Sequence, residues 1–331
     1  MKSGSCLVEV RRGETTESIH RVHVAVAEAG KGLVASAGNP AHHSFVRSAI
    51  KMFQVLPFVE AGGVANFGFT AAELALCTAS HGGEPVHVAA AQSMLEKAGL
   101  TEGALACGPH PPMHAPSAEA LRESGVPPSR IHNNCSGKHA GMLAFTSQQG
   151  WVTSGYHRAK HPTQQRILST VARWMRTEAD DIEQAVDGCG LPTFALPLDA
   201  VAEGCARFAA AVADSTPAPL QIFNAMTAHP EMVAGTGRLD TDLMRTAPGR
   251  LFSKVGAEGF YAAAIPSRHM GIALKVEDGS GRASEPALLL ALRLMDVIDD
   301  REFDGLLRYA FPTIRNTRGE PVGSIRTSLS F

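Results

Sequence analysis

The sequence predicts a mixed fold of the α/β (α+β) class, with one antiparallel sheet built from both chain ends, flanked by helices, and a helical lobe inserted between them. Hydrophobic residues alternate with period two from Cys6 to Gly38, strand patterns return after Lys254, and helical patterns lie between. Because a two-stranded ribbon is only marginally stable alone, the two ends are expected to share one sheet. We predict a single domain over 1–331, with its sheet region at about 1–45 and 250–331 and its helical region at about 46–249.

Each part of this prediction comes from a local pattern. At the N-terminus LVEVRR, IHRVHVAVAEA and GLVASAG read as strands, with Val22, Val24 and Val26 on one face. In the middle, Thr70 and Glu73 have capping-box spacing, and Pro162 precedes the helical pattern QQRILSTVARWMR. Towards the C-terminus GFYAAAIP and MGIALKVEDG read as strands, and PALLLALRLMDVI as a last amphipathic helix.

Composition narrows the class of protein. Of 331 residues 44% are hydrophobic and 19% charged, the net charge is -2, and the Lys and Arg are scattered, so we expect no nucleic-acid partner. No apolar run approaches the ~18 residues of a membrane span, and the N-terminus lacks a secretory signal, so we expect no membrane association and a cytoplasmic protein. The six cysteines include no CxxC pair and are expected to be free or metal-bound.

The segment RSAIKMFQ sets Ser48 three residues before Lys51. In the first turn of a helix the two side chains would share a face, and a lysine amine can accept the proton of a serine nucleophile. The helix start would also supply unpaired N–H groups for an oxyanion. Ser-x-x-Lys also occurs by chance in many helices, so this motif alone leaves catalysis open.

Two further segments carry candidate catalytic side chains. In CTASHGGE, Ser80 and His81 precede Gly82-Gly83, which would act equally well as a helix C-cap. In FSKVGAEGF, Lys254 precedes a predicted strand, where a lysine is usually solvated.

The segments NNCSGKHAG and VDGCGLP each place a cysteine beside glycine, with Lys138 and Asp187 close by. Two thiolates could bind zinc, but a structural zinc site needs four protein ligands, so two small buried hydrophobic residues are the alternative. The sequence contains no dinucleotide or phosphate-binding glycine motif, and we expect no organic cofactor.

Five segments together, RSAIKMFQ, ASHGGE, NNCSGKHAGML, DGCGLPTFALPL and KVGAEGFY, resemble in order and spacing the asparaginase II family, typified by the inducible rhizobial L-asparaginase. The resemblance implies a serine β-lactamase-like fold and a homodimer that hydrolyses L-asparagine to L-aspartate and ammonia. It implies two serine–lysine pairs, Ser48 with Lys51 and Ser80 with Lys254. It also implies a supporting zinc site at Cys135, Lys138 and Cys189.

Two of these segments depart from the β-lactamase motifs, and the substrate-binding residues and the exact substrate remain open. Lys254-Val-Gly256 lacks the hydroxyl of K-T-G, and Ser80 is followed by His-Gly, so lactam chemistry is not expected. By charge matching, Arg47 and Asp187 are candidates for the substrate's α-carboxylate and α-ammonium, and His139 is a further substrate-binding candidate. The alternatives are an acyl-serine hydrolase of glutamine or lactam-like amides and an inactive zinc or amino-acid binding protein.

Overall fold

The computed structural model describes residues 4–331 as two compact units. The first unit contains the described residues up to Ala49 together with Leu196–Ala213 and Asp242–Phe331. The second contains Ile50–Ala195 and Asp214–Thr241.

The first unit is built on an eight-stranded antiparallel sheet. The strands run in the order β10-β11-β1-β2-β9-β8-β7, with β3 also paired to β2. Their bounds are β1 Cys6–Arg12, β2 Thr15–Glu28, β3 Gly32–Ala37, β7 Phe252–Gly256, β8 Phe260–Ile265, β9 Met270–Val276, β10 Thr313–Arg315 and β11 Pro321–Leu329; the short strand β4 is His43–Phe45. Cys6 lies opposite Leu329 where β1 and β11 pair. The prediction that both chain ends share one sheet is confirmed.

The centre of this sheet is covered on both faces. All seven residues of β9 are buried, although neighbouring side chains of a strand point to opposite faces. Helices α8 Leu198–Ala213 and α12 Gly281–Leu294 pack against β9. A Cβ on Gly271 would lie 2.4 Å from the backbone nitrogen of Ala206, so glycine permits the close approach of α8.

The C-terminal part of the first unit was not foreseen in detail. After α12 come two short helices, α13 Asp300–Gly305 and α14 Leu307–Ala310, and then β10 and β11. β11 is half-exposed along most of its length, so its sequence lacks the apolar alternation that marks a strand.

The second unit is mainly helical, as predicted. Its helices are α1 Lys51–Glu60, α2 Gly63–Phe67, α3 Ala71–Cys77, α4 Pro85–Lys97, α5 Ala115–Glu123, α6 Ser136–Gln148, α7 Pro162–Met175, α9 Pro217–Ala228 and α10 Pro230–Val233, and α11 Leu239–Thr246 begins in it. The predicted Thr70–Glu73 capping box is present at the start of α3, and Pro162 is the first residue of α7. The region also contains a pair of antiparallel strands, β5 Gln184–Val186 and β6 Pro192–Pro197, where we had expected helical structure.

Helix α6 is the central helix of this unit. Its residues from Ser136 to Thr146 are all buried, and it packs against α1, α3, α4 and α7. Glycines one turn apart allow α3 to come close: a Cβ on Gly137 would lie 2.6 Å from Leu76 O, and one on Gly141 would lie 2.7 Å from Cys77 Sγ. The close contact brings the start of α6 beside the end of α3.

Among the described residues, no helix has both the length and the apolar character needed to cross a bilayer.

Candidate active site

The amine of Lys51 is the centre of a buried polar cluster in the second unit. Lys51 is the first residue of α1 and its side chain is fully buried. Its Nζ donates to the carbonyl oxygen of Ala79, lies 3.0 Å from Ser80 Oγ and lies 3.3 Å from Cys135 Sγ. Burial, the largest effect, lowers the pKa of Lys51. A lysine with a lowered pKa beside a serine hydroxyl is a candidate general base.

The position of Ser80 is set by the segment that follows α3. The helix ends at Cys77, and the backbone N–H of Ser80 then donates to Val233 O (2.9 Å). The reading of Gly82-Gly83 as the helix C-cap is therefore wrong. Gly83 has a left-handed φ of 71°, and a Cβ there would lie 2.9 Å from Pro112 Cα, so this glycine serves loop packing.

Cys135, Lys138 and Cys189 form the second part of the cluster. Cys135 caps α6, Lys138 lies in its first turn, and Cys189 lies in the turn between β5 and β6. Lys138 Nζ is 3.3 Å from Cys189 Sγ, and all three residues are buried. The structure thus brings together three predicted metal ligands and connects them to Lys51 through Cys135.

The pKa values of the two cysteines shift in opposite directions. A hydrogen bond from Cys135, helped by the positive charge of Lys138, lowers the pKa of Cys189 to about 5. The same hydrogen bond and burial raise the pKa of Cys135 to about 12. Burial alone would lower the pKa of Lys138, but the neighbouring Cys135, Cys189 and Asp187 outweigh it and the pKa is raised. Loss of the Cys189 proton is therefore favoured over loss of the Cys135 proton, and the positive charge of Lys138 is stabilised by both sulfurs.

His139 and Tyr156 lie at the other side of the first turn of α6. His139 Nδ1 is 2.5 Å from the hydroxyl oxygen of Tyr156, and both side chains are buried. Burial, followed by the positive charge of Lys138, lowers the pKa of His139 to about 3, so the ring is neutral. Sequence reasoning missed Tyr156, because the segment TSGYHRA carries no spacing that links it to the motif around Lys138.

Sequence reasoning also missed the structural role of the buried histidines around the Ser80 segment. His81 Nε2 is 3.0 Å from Ser136 Oγ, and its Nδ1 accepts from the N–H of Gly83 (3.1 Å). His87 is stacked on His81 with ring centroids 4.9 Å apart. These contacts tie the Ser80 segment to the start of α6.

Three other predicted site residues lie in the first unit, whereas Asp187 lies in the second unit, two residues before Cys189. Arg47 and Ser48 belong to a 3₁₀ helix, Arg47–Ile50, that directly precedes α1. Arg47 has a left-handed φ of 49°, an uncommon conformation for a residue with a side chain. Lys254 is fully buried in the middle of β7, so the solvated reading is wrong; its Nζ donates to Val255 O (2.8 Å).

The side chains of the cluster limit the kind of zinc site that it could form. Among the described residues no group of three or more His, Cys, Asp and Glu side chains could hold a metal. Cys135 and Cys189 with the amine of Lys138 provide three donors, and an amine donates to a metal only when it is neutral. The cluster offers at most three donors, and the third only if Lys138 loses its proton, so it does not fit a four-ligand structural zinc site.

A buried lysine amine, a serine hydroxyl and an adjacent sulfur–lysine cluster define a candidate amide-hydrolase site. The sequence model described as L-asparaginase II matches residues 8–327. The chain belongs to the L-asparaginase II family.

Comparisons with curated protein sequences and with solved structures add little to the family assignment. No curated protein sequence matches the chain. Among solved structures, the chain is similar to a β-lactamase from Mycobacterium bovis, with 13% identity, 85% of this chain and 95% of that chain covered, and a TM-score of 0.33. The family assignment rests on the family match and not on this structural likeness.

Proposed function

We propose that the protein hydrolyses L-asparagine to L-aspartate and ammonia through a serine–lysine nucleophile and a covalent β-aspartyl-enzyme. The observation that carries the proposal is the contact of the buried Lys51 amine with Ser80 Oγ at 3.0 Å, in a chain of the L-asparaginase II family. Burial favours a neutral amine, which is the form that accepts a proton.

In the proposed mechanism Ser48 attacks the side-chain amide carbon and neutral Lys51 accepts the hydroxyl proton. Backbone N–H groups at the helix start stabilise the tetrahedral intermediate. Its collapse breaks the C–N bond, ammonia leaves after protonation, and water then hydrolyses the β-aspartyl ester. In this mechanism Ser80 relays a proton between the lysines or polarises the leaving amide, and Lys254 supplies a positive charge that favours the neutral form of Lys51.

Substrate recognition is assigned to three residues. Arg47 would pair with the α-carboxylate, Asp187 with the α-ammonium, and His139 would donate or accept a hydrogen bond. Cys135, Lys138 and Cys189 would hold Zn²⁺, which when bound supplies a fixed positive charge to the site. A homodimer and a cytoplasmic location remain predictions from the sequence.

Intact-mass measurement of protein quenched during turnover of L-asparagine tests this function. We expect an added β-aspartyl group located on Ser48 by peptide mapping, and loss of both adduct and ammonia release in Ser48→Ala. An adduct on Ser80 with Ser48→Ala still active would reassign the nucleophile.

Substrate class is tested in the same assay by ammonia release from L-asparagine and L-glutamine and by cleavage of a chromogenic β-lactam. The proposal expects L-asparagine to be turned over with the largest kcat/KM. A protein that is stabilised by L-asparagine without forming product would instead be an amino-acid binding protein.

A further inference from the structure

The imidazole of His139 is completely buried but only one of its two nitrogens has a partner. Nδ1 lies 2.5 Å from the hydroxyl oxygen of Tyr156. Nε2 is buried and finds no hydrogen-bond partner anywhere in residues 4–331. Native interiors rarely leave a buried polar atom unsatisfied, and such an atom calls for a bound molecule or another explanation.

The contacts of Tyr156 decide which nitrogen of His139 carries the hydrogen. The backbone N–H of Ala106 lies 3.0 Å from the Tyr156 oxygen, and a backbone N–H can only donate. If the Tyr156 hydroxyl donates to Nδ1, then Ala106, Tyr156 and Nδ1 are all satisfied. If Nδ1–H donated to Tyr156 instead, the phenolic hydrogen and Nε2 would both lack partners. The first arrangement leaves fewer groups unsatisfied and places the hydrogen on Nε2.

The backbone connects this N–H to the candidate active site. His139 follows Lys138, and its backbone N–H donates to Cys135 O (3.0 Å) in the first turn of α6. Cys135 Sγ in turn lies 3.3 Å from Lys51 Nζ. The same helical turn therefore supplies the sulfur beside the proposed base and the unpartnered imidazole N–H.

We propose that Tyr156 is a positioning residue that holds His139 in the Nε2–H tautomer, so that this N–H donates to an acceptor oxygen of the amino-acid substrate. The inference rests on the proposed function and adds a tautomer, a hydrogen-bond direction and a residue that acts through His139. The substrate is an amino acid with a carboxylate and an amide carbonyl, which offer only oxygen acceptors to such a donor.

Two substitutions at His139 separate the two nitrogens. In His139→Gln the amide nitrogen reaches the position of Nε2 and keeps a donor there, whereas in His139→Asn the shorter side chain reaches only the position of Nδ1. We expect kcat/KM for L-asparagine to fall about tenfold or more in His139→Asn and to stay within about threefold of wild type in His139→Gln. Equal losses in both variants, or no loss in His139→Asn, would overturn the proposal and leave an ordered water as the partner of Nε2.

The tautomer can be measured without turnover by ¹⁵N NMR of protein labelled at histidine, with His139 assigned by the signal that His139→Gln removes. We expect Nε2–H in wild type, a shift of that signal on adding L-aspartate, and loss of the Nε2–H preference in Tyr156→Phe, with a fall in kcat/KM. A wild-type Nδ1–H tautomer, or an unchanged signal in Tyr156→Phe, would contradict the assignment.

The proposed function and the proposed role of Tyr156 and His139 can be contradicted independently. If wild type releases no ammonia from L-asparagine, the proposed function fails while the NMR measurement still decides the tautomer. Thermal unfolding will show whether Tyr156→Phe folds. If it does not, the wild-type spectrum and the two His139 variants test the tautomer assignment.

Discussion

At the scale of single residues, the pKa values of two buried lysines shift in opposite directions because of their neighbours. The amine of Lys51 contacts a carbonyl, a hydroxyl and the sulfur of Cys135, and the cost of burial outweighs the opposing effect of the sulfur, so its pKa falls. The amine of Lys138 lies near Cys135, Cys189 and Asp187, whose combined effect outweighs burial, so its pKa rises. One lysine is thus suited to accept a proton and the other to stabilise an anion.

Glu73 shows how local hydrogen bonds shift the pKa of a buried carboxyl group. Its carboxylate accepts hydrogen bonds from Lys97 Nζ (2.7 Å), the backbone N–H of Thr70 (2.7 Å) and Ser93 Oγ (2.8 Å). Burial would raise the pKa of Glu73, but these hydrogen bonds outweigh it and the pKa is lowered.

Because the folded-state pKa of Glu73 lies below that of the unfolded chain, its stabilisation is present above about pH 4.3 and is lost as the pH falls through the folded value. We expect Glu73→Gln to lower the free energy of unfolding by about 1 kcal/mol at pH 7, and the difference from wild type to disappear in acid. Urea unfolding at several pH values measures it. Glu119→Gln, which removes an exposed ion pair with Arg122, is the control and should change little. A difference independent of pH would contradict the prediction.

At the scale of elements, the site depends on the contact between α3 and α6. The end of α3 leads into Ser80, and the start of α6 carries Cys135 and Lys138. Gly137 lets the backbone of α6 pack directly against Leu76 of α3, because any Cβ at that position would collide with Leu76.

Gly137→Ala should therefore separate the two helices and disturb the cluster. The Cβ would lie 2.6 Å from Leu76 O, a backbone atom that cannot move without moving α3. We expect a loss of about 1–3 kcal/mol in the free energy of unfolding, despite alanine's higher helix propensity, and a lower kcat/KM. Gly305→Ala is the matched control, since its Cβ would meet no atom within 4 Å and no loss is expected. Equal stability of the two variants would show that α3 and α6 can move apart freely.

At the scale of the whole molecule, each unit is assembled from distant parts of the chain. In the first unit β1 lies between β2 and β11, so the strand nearest the N-terminus pairs with the last strand of the chain. In the second unit, segments around Lys51, Ser80, Cys135 and Cys189 converge although well over a hundred residues separate the first from the last. Both assemblies depend on contacts between residues that are distant in sequence.

Zinc binding would appear as a change in the stability of the whole protein. A ligand that binds only the folded state stabilises it, by about 2.7 kcal/mol when its concentration is a hundredfold above Kd. We expect a chelator to lower the Tm of wild type and to leave the Tm of Cys135→Ser/Cys189→Ser unchanged. Metal analysis of both proteins is the direct measurement, and a wild type without zinc after purification and zinc addition would remove the metal from the proposal.

Local patterns predicted those elements whose signal is contained in neighbouring residues. The capping box at Thr70, the proline start of α7, the alternation in β2 and the strand pattern of β9 were readable because these signals lie within a few neighbouring residues. β11 was not, since it is half-exposed and its partner β1 is distant in sequence. β5 and β6 were not either, since β5 has only three residues and β6 begins and ends with a proline.

The sequence by itself determined the mixed class, the sheet shared by both chain ends and the five motifs of the family. Only the tertiary structure decided that Lys51 lies against Ser80 and Cys135, that Lys254 is buried, and that Tyr156 contacts His139. The physical reason is that motifs record which side chains are present, whereas burial and hydrogen-bond partners, which set protonation and direction, arise only when separate segments pack together.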